Sequence, residues 1–523
     1  MTGIVLCCIM AYLAVYAALN FGGLKRICNS DVYADMQVAL RMWEQKTLFP
    51  QDWSFGNQLY VIATPVLAAL LYGITENMNI AMALATELMT VFILMSFVWL
   101  LSGFTKDKLS VAVCCLLLVA SCIAPNGFYS LNSLLFYTQA SFYACYLITM
   151  FVVMGDYIRS FDSEKTGIGA WGLSVILCFA TGMQSMRQTV VMVLPILVCE
   201  AYLVLRRIVQ RRSPWDRTNY KSTVRAATYA ISNVAGLAVI KQVEVTQASI
   251  YGQMKLVPFR EMFSRMKPIT QAFMEISSMD YVLQDNRYPK LSMVIVFMVV
   301  LVIIATILWL ARIKRDETKL ELCWLLCVIS IVGVLMSTVV LEVTLRSIYI
   351  FMWFPLVAFS GLILMKKLPV LLKSGLIVLI CLFSLYSLYV TNANPLLFAL
   401  RDTPTDKEML SQWAVDNGFE YVYGDYWVEV PGIAACSDGA IEAGCWHTVN
   451  SIFQVEPFNT PQDIYGEKEN EKAIYVFTEY DEAKGLQIAQ ERGAIMTNVA
   501  KFGEFYVYTS SQQLMQVQTT DAS

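Results

Sequence analysis

Charge is scarce in this chain. Asp, Glu, Lys and Arg supply 15% of its 523 residues and hydrophobic types 57%, whereas a soluble domain carries about 25% charged residues. Most of the surface must therefore face something other than water. Histidine is nearly absent: His447 stands alone, which excludes a His-rich metal centre. The net charge of -3 carries no basic excess, so there is no electrostatic footprint for nucleic acid. Nucleophile elbow, P-loop and dinucleotide fingerprint are all missing from the polar C-terminal part. All the cysteines except Cys436 and Cys445 lie in or beside apolar runs, where Cys acts as a small hydrophobe. Those two permit a disulfide in an oxidising compartment, and two free thiols fit equally well.

What the chain has in abundance is long apolar runs: 4–24, 80–101, 110–125, 137–155, 168–185, 189–205, 226–241, 291–311, 320–341, 348–365 and 372–391. A helix needs about 20 such residues to cross the hydrocarbon core. The first run has no basic n-region and no small-residue cleavage site, so an uncleaved span is expected rather than a signal peptide. Basic residues fall in every second connection after residue 100: Lys106 and Lys108, Arg159 and Lys165, the cluster from Arg206 to Arg225, Arg312 to Arg315, and Lys366 to Lys373. By the positive-inside rule these connections are cytoplasmic, which puts 392–523 outside. Upstream, parity leaves two solutions. If Leu59–Ile74, with its internal Pro65, spans the membrane, the N-terminus is outside; if it lies in the interface, the 25–58 loop is external.

The tail reads as a small α/β domain. DKEMLSQWAVDNG, stopped by Gly418, and DEAKGLQIAQERG have helical character. EYVYGDYW, AIYVFTEY and EFYVYTS are rich in the aromatic and β-branched types that favour strands. Segment 242–290 holds FREMFSRMKPITQAFMEI, with the spacing of an amphipathic interfacial helix.

Candidate chemistry gathers just beyond the first span. Asp31 and Asp35 are spaced i, i+4 and so share a helix face; Glu44 and Asp52 follow, among Tyr33, Trp43, Phe49, Trp53, Phe55 and Tyr60. A hydrated juxtamembrane helix would explain the carboxylates, but the aromatic density suits a membrane–water interface. A carboxylate held there can take a proton from a hydroxyl. Arg187, in TGMQSMRQTV, and Arg346, in LEVTLRSIYIF near Tyr349, stand at outer ends of spans. A lone arginine there is ordinarily a snorkelling anchor; two on the side of the acidic loop suit a phosphate, which arginine binds bidentately.

This layout resembles the GT-C class of membrane glycosyltransferases, which use sugars carried on polyprenyl phosphate or diphosphate. The resemblance rests on the acidic loop after span one (Asp31, then Asp35), the run NQLYVIATPVLAALLYGITENMNIAMALATELMT, Arg346 beside Tyr349, the soluble tail, and the GDYW segment Gly424–Trp427. The Asp-Glu pair common in the class is absent, since Val32 follows Asp31. The resemblance implies an interfacial helix at 59–74, hence about eleven spans and a cytoplasmic N-terminus. It divides the chain into a transmembrane module, 1–391, with external loops 25–79 and 242–290, and an extracytoplasmic α/β domain, 392–523. It implies Asp31 as the catalytic base, and Asp35 as support for the acceptor or for a divalent cation. It casts Arg187 and Arg346 as ligands of the donor phosphate, and Tyr33, Trp53 and Tyr349 as residues lining the site. The expected donor is a polyprenyl-phosphate-linked sugar, the acceptor a glycan, lipid or protein, and the setting a bacterial plasma membrane. A flippase would instead need an internal repeat and mid-membrane polar groups; a polymerase or ligase of lipid-linked glycans would place its large outer loop late.

Overall fold

A computed structural model describes residues 1–56, 58–120, 143–161, 167–209, 213, 220–243, 258–262, 326, 329, 359, 361–362, 365, 368–428, 430–456, 459–465 and 470–515. They fall into two compact units. One comprises Met1–Tyr16, Leu88–Val243 and Tyr251–Pro395; the other comprises Ala17–Glu87, Glu244–Ile250 and Leu396–Ser523.

The first unit is helical. Among the described residues, four helices are long and apolar enough to cross a membrane: Thr2–Ile27 (α1), Met78–Leu101 (α4), Thr189–Val209 and Tyr220–Ile240 (α9). Thr189–Val209 opens with a π-helical turn, Thr189–Val193, and continues as α8, Leu194–Val209. Shorter apolar helices are Lys108–Ala120 (α5) and Ile168–Gln184 (α7), with Ala144–Arg159 (α6) between them. The expected runs at 291–311, 320–341 and 348–365 lie wholly or mostly outside the described residues. So does most of segment 242–290, of which a single helical turn, Phe259–Met262 (α10), is described.

Small residues set a close helix crossing. A Cβ on Gly182 would stand 2.2 Å from the Asn233 carbonyl oxygen, and one on Gly236 would stand 2.2 Å from that of Phe179. Helices α7 and α9 can approach this closely only because both positions are glycine. Buried charged side chains in this interior find partners, as a water-poor setting requires. Arg225 meets Asp156 at 2.9 Å, and the Tyr157 hydroxyl donates to Glu200 at 2.7 Å.

The second unit joins the segment after the first span to the tail. Helix α1 ends at Ile27, and α2, Ser30–Gln45, starts after a two-residue link. The Asn29 side chain caps it by accepting from the Val32 amide at 3.2 Å. Helix α3 covers Thr64–Thr75, with Pro65 in its first turn, where a missing N–H is harmless. Its 12 residues reach about 18 Å at 1.5 Å per residue, short of the hydrocarbon core's thickness of about 30 Å.

Helix α11, Val370–Ala399, leads into the tail. Helix α12, Asp406–Asp416, begins at a capping box between Thr405 and Glu408 and ends before Gly418, at φ 78°. The sheet has five strands in the order β3-β2-β5-β7-β6. They are β2 (Tyr421–Asp425), β3 (Glu442–Trp446), β5 (Ala473–Phe477), β6 (Met496–Phe502) and β7 (Phe505–Ser510). Strand β2 pairs in parallel with both β3 and β5, while β7 runs antiparallel to β5 and β6. Short helix α13, Val430–Cys436, follows β2, and α14, Glu482–Glu491, follows β5. Tyr423, Trp446, Phe453, Tyr475 and Phe477 pack the core.

A two-strand ribbon ties the early loop to the tail: β1, Trp53–Ser54, pairs with β4, Thr460–Pro461. Cys436 and Cys445 are both free thiols, so of the two arrangements the sequence allows, the disulfide is not formed.

Candidate functional site in the acidic loop

Asp31 sits in the first turn of α2, directly after the first span. A helix N-terminus favours a carboxylate there. The Tyr426 hydroxyl, from the turn after β2, donates to Asp31 Oδ1 at 2.8 Å. Burial pushes the Asp31 carboxyl above the usual range, and the Tyr426 hydrogen bond works the other way. Tyr426 is itself fully buried, and burial together with the adjacent Asp31 raises its phenol well above the ordinary value. It therefore stays a donor and holds the carboxylate in one orientation.

Asp35, one turn on, is buried and accepts from the Tyr60 hydroxyl at 2.6 Å. The shared helix face is thus real, but each carboxylate is engaged by a different partner. Among the described residues, no group of three or more His, Cys, Asp or Glu side chains is arranged to hold a metal ion.

The remaining expected site residues fall into three settings. Tyr33 is fully buried; its hydroxyl donates to the Lys25 carbonyl at 2.8 Å, and its ring fills the space where a Cβ on Gly432 would stand. Trp53 is buried in β1. In the first unit, Arg187 lies half-buried in the turn between α7 and the π-helical turn, its guanidinium carbon 5.4 Å from the centre of the Tyr143 ring. Arg346 and Tyr349 lie outside the described residues.

Two features were not legible in sequence. The first is Tyr426 as partner to Asp31; the segment GDYW stood out, but nothing in it points 395 residues back along the chain. The second is Arg41, which counts in the sequence only as one more loop charge. Its nearly buried guanidinium forms ion pairs with Asp52, with Glu442 at 3.0 Å and with Asp463 at 3.1 Å. One arginine on α2 thereby gathers carboxylates from its own loop, from β3 and from the segment after β4.

The described residues thus combine membrane-length apolar helices, an acidic helix directly after the first of them and an α/β tail folded against that helix. Among solved structures, the chain is similar to ArnT from Cupriavidus metallidurans bound to undecaprenyl phosphate, at 12% identity and a TM-score of 0.52, with 99% of each chain covered. The apo state of the same protein aligns over 98% of this chain and 99% of that one, at 10% identity and a TM-score of 0.42. The likeness is one of fold. No family model and no curated protein matches the sequence.

Proposed function

We propose that this chain is an inverting glycosyltransferase. It moves a sugar from a polyprenyl-phosphate or diphosphate carrier to an acceptor hydroxyl at the outer face of the membrane, with Asp31 as general base. The observation that carries this reading is the Asp31 carboxylate itself. It stands at the exit of the first span, is raised in pKa by burial, and is oriented by Tyr426. A base whose pKa is lifted toward the working pH takes a proton more readily in the transition state. The fold shared with a protein solved bound to undecaprenyl phosphate supports the donor class.

The acceptor O–H breaks as its proton passes to Asp31. The oxygen forms a bond to the anomeric carbon on the face opposite the phosphate, and the C–O bond to the carrier breaks with its electron pair on the phosphate oxygen. Arg187 and Arg346 neutralise that developing charge. In this reading 25–79 and 392–523 lie outside the cell membrane and the N-terminus inside.

Mass spectrometry of envelope glycans from cells lacking this chain tests the reading. Loss of a single sugar, restored by the wild-type gene, is the expected result; an unchanged glycan profile overturns it.

A further inference from the structure

Strands β2, β3 and β5 run parallel with β2 in the middle, so the chain leaves β2 toward β3 on one side and later enters β5 on the other. In open α/β sheets, ligands bind outside the carboxyl ends of strands at such a switch point. The residues at those ends are not a generic turn. Trp427 follows β2 and keeps half of its surface exposed. Its indole meets the Tyr426 ring edge-on at 5.0 Å and the His447 imidazole edge-on at 5.8 Å. Its amide donates to the Asp425 carboxylate at 2.7 Å. His447, just past β3, has its Nδ1 2.7 Å from the buried Glu456 carboxylate, with 45% of its side chain still exposed.

A half-exposed indole packed between two nearly perpendicular rings, with an imidazole beside it, has the composition of a recognition site, in which a few placed polar groups sit against an apolar wall. Aromatic faces present negative potential, which suits the weakly positive C–H face of a sugar ring. Two buried carboxylates, Asp425 and Glu456, accompany the single imidazole, so an anion is disfavoured here and a neutral polyhydroxylated ligand is accommodated. Tyr426, next in the chain, is the residue that orients Asp31.

We propose that the carboxyl ends of β2, β3 and β5 form a glycan-recognition subsite, with the Trp427 indole as platform for one face of a pyranose ring and His447 meeting its hydroxyls. The subsite deepens the glycosyltransferase reading, on which its assignment to the acceptor rests.

The test is binding of the full-length protein, in lipid nanodiscs, to an array of immobilised neutral oligosaccharides, comparing wild type with Trp427→Ala, Trp427→Phe and Asp31→Asn. The expected result is glycan binding by the wild type, reduced at least tenfold by Trp427→Ala, largely kept by Trp427→Phe, and kept by Asp31→Asn. No binding by the wild type, or equal binding by Trp427→Ala, overturns the subsite. Glycan binding that depends on Trp427 in a protein that transfers no sugar would leave the subsite standing and remove the enzymatic reading. Transfer lost in Asp31→Asn, with binding indifferent to Trp427, would do the reverse.

Discussion

The Tyr426 hydroxyl donates to Asp31 Oδ1 at 2.8 Å across 395 residues of chain. The tail is therefore part of the setting of the proposed base. Removing the hydroxyl in Tyr426→Phe takes a donor from a carboxylate that burial already disfavours, so the Asp31 pKa rises further. A general base works deprotonated, and activity falls as pH drops through its pKa. The acidic limb of kcat/KM against pH is predicted to move to higher pH. A hydrogen bond to a charged group is worth about 1.5–3 kcal/mol, so a loss of about tenfold or more at neutral pH accompanies the shift. A pH profile superimposable on the wild type's would contradict it.

Arg41 ion-pairs with three carboxylates from separate segments. Arg41→Ala leaves Asp52 with its main partner gone and Glu442 and Asp463 repelling each other. Stripping one partner from a buried pair costs about 3–5 kcal/mol; Glu442 and Asp463 are about two-fifths exposed, which puts the expected loss at the low end. Thermal unfolding in detergent should show a clear fall in Tm, and Arg41→Lys, which cannot fork between partners, should recover only part of it.

Glu408 binds Lys25 and Arg26 at 3.0 Å each and closes the capping box at the Thr405 amide. Burial alone would raise its pKa, but the Thr405 amide and the two basic partners outweigh it and hold the carboxyl at about 2. A depressed carboxylate stabilises the fold above its unfolded value and loses that contribution as pH falls through the folded one. Wild type should therefore lose stability between pH 4.5 and about 2, and Glu408→Gln should lack that component while being less stable at pH 7 by about 1–2 kcal/mol. Parallel acid-unfolding curves for the two proteins would contradict the assignment.

The side of the membrane can be read from one exposed position. Ser30 and Ser54 are each 2% exposed and would report poorly, whereas Gln51 is exposed in the same loop. Gln51→Cys should react with a membrane-impermeant maleimide in intact cells, above the background of the native thiols. Reaction only after permeabilisation would place the acidic loop in the cytoplasm and end the proposed mechanism.

The sequence made visible whatever depends on local pattern. Span-length apolar runs need only composition, and α12 carries its own start and stop in Thr405 and Gly418. Strand β3, EAGCW, escaped because it is short, small-residued and buried nearly throughout, with no alternation to betray it. Strand β6 escaped for the opposite reason, since most of MTNVAKF is solvent-facing. Asp31 was legible from its place after the first span. Its partner Tyr426 and the three-way grip of Arg41 are tertiary facts, set by how the tail folds onto α2, and no local pattern encodes them.

The most direct measurement is release of polyprenyl phosphate by purified Asp31→Asn beside the wild type, at equal protein and matched Tm. The amide keeps the shape and can still accept from Tyr426 but takes no proton. General-base catalysis contributes about 10²–10⁴-fold, and the account predicts a loss in that range. Full turnover by Asp31→Asn would contradict it.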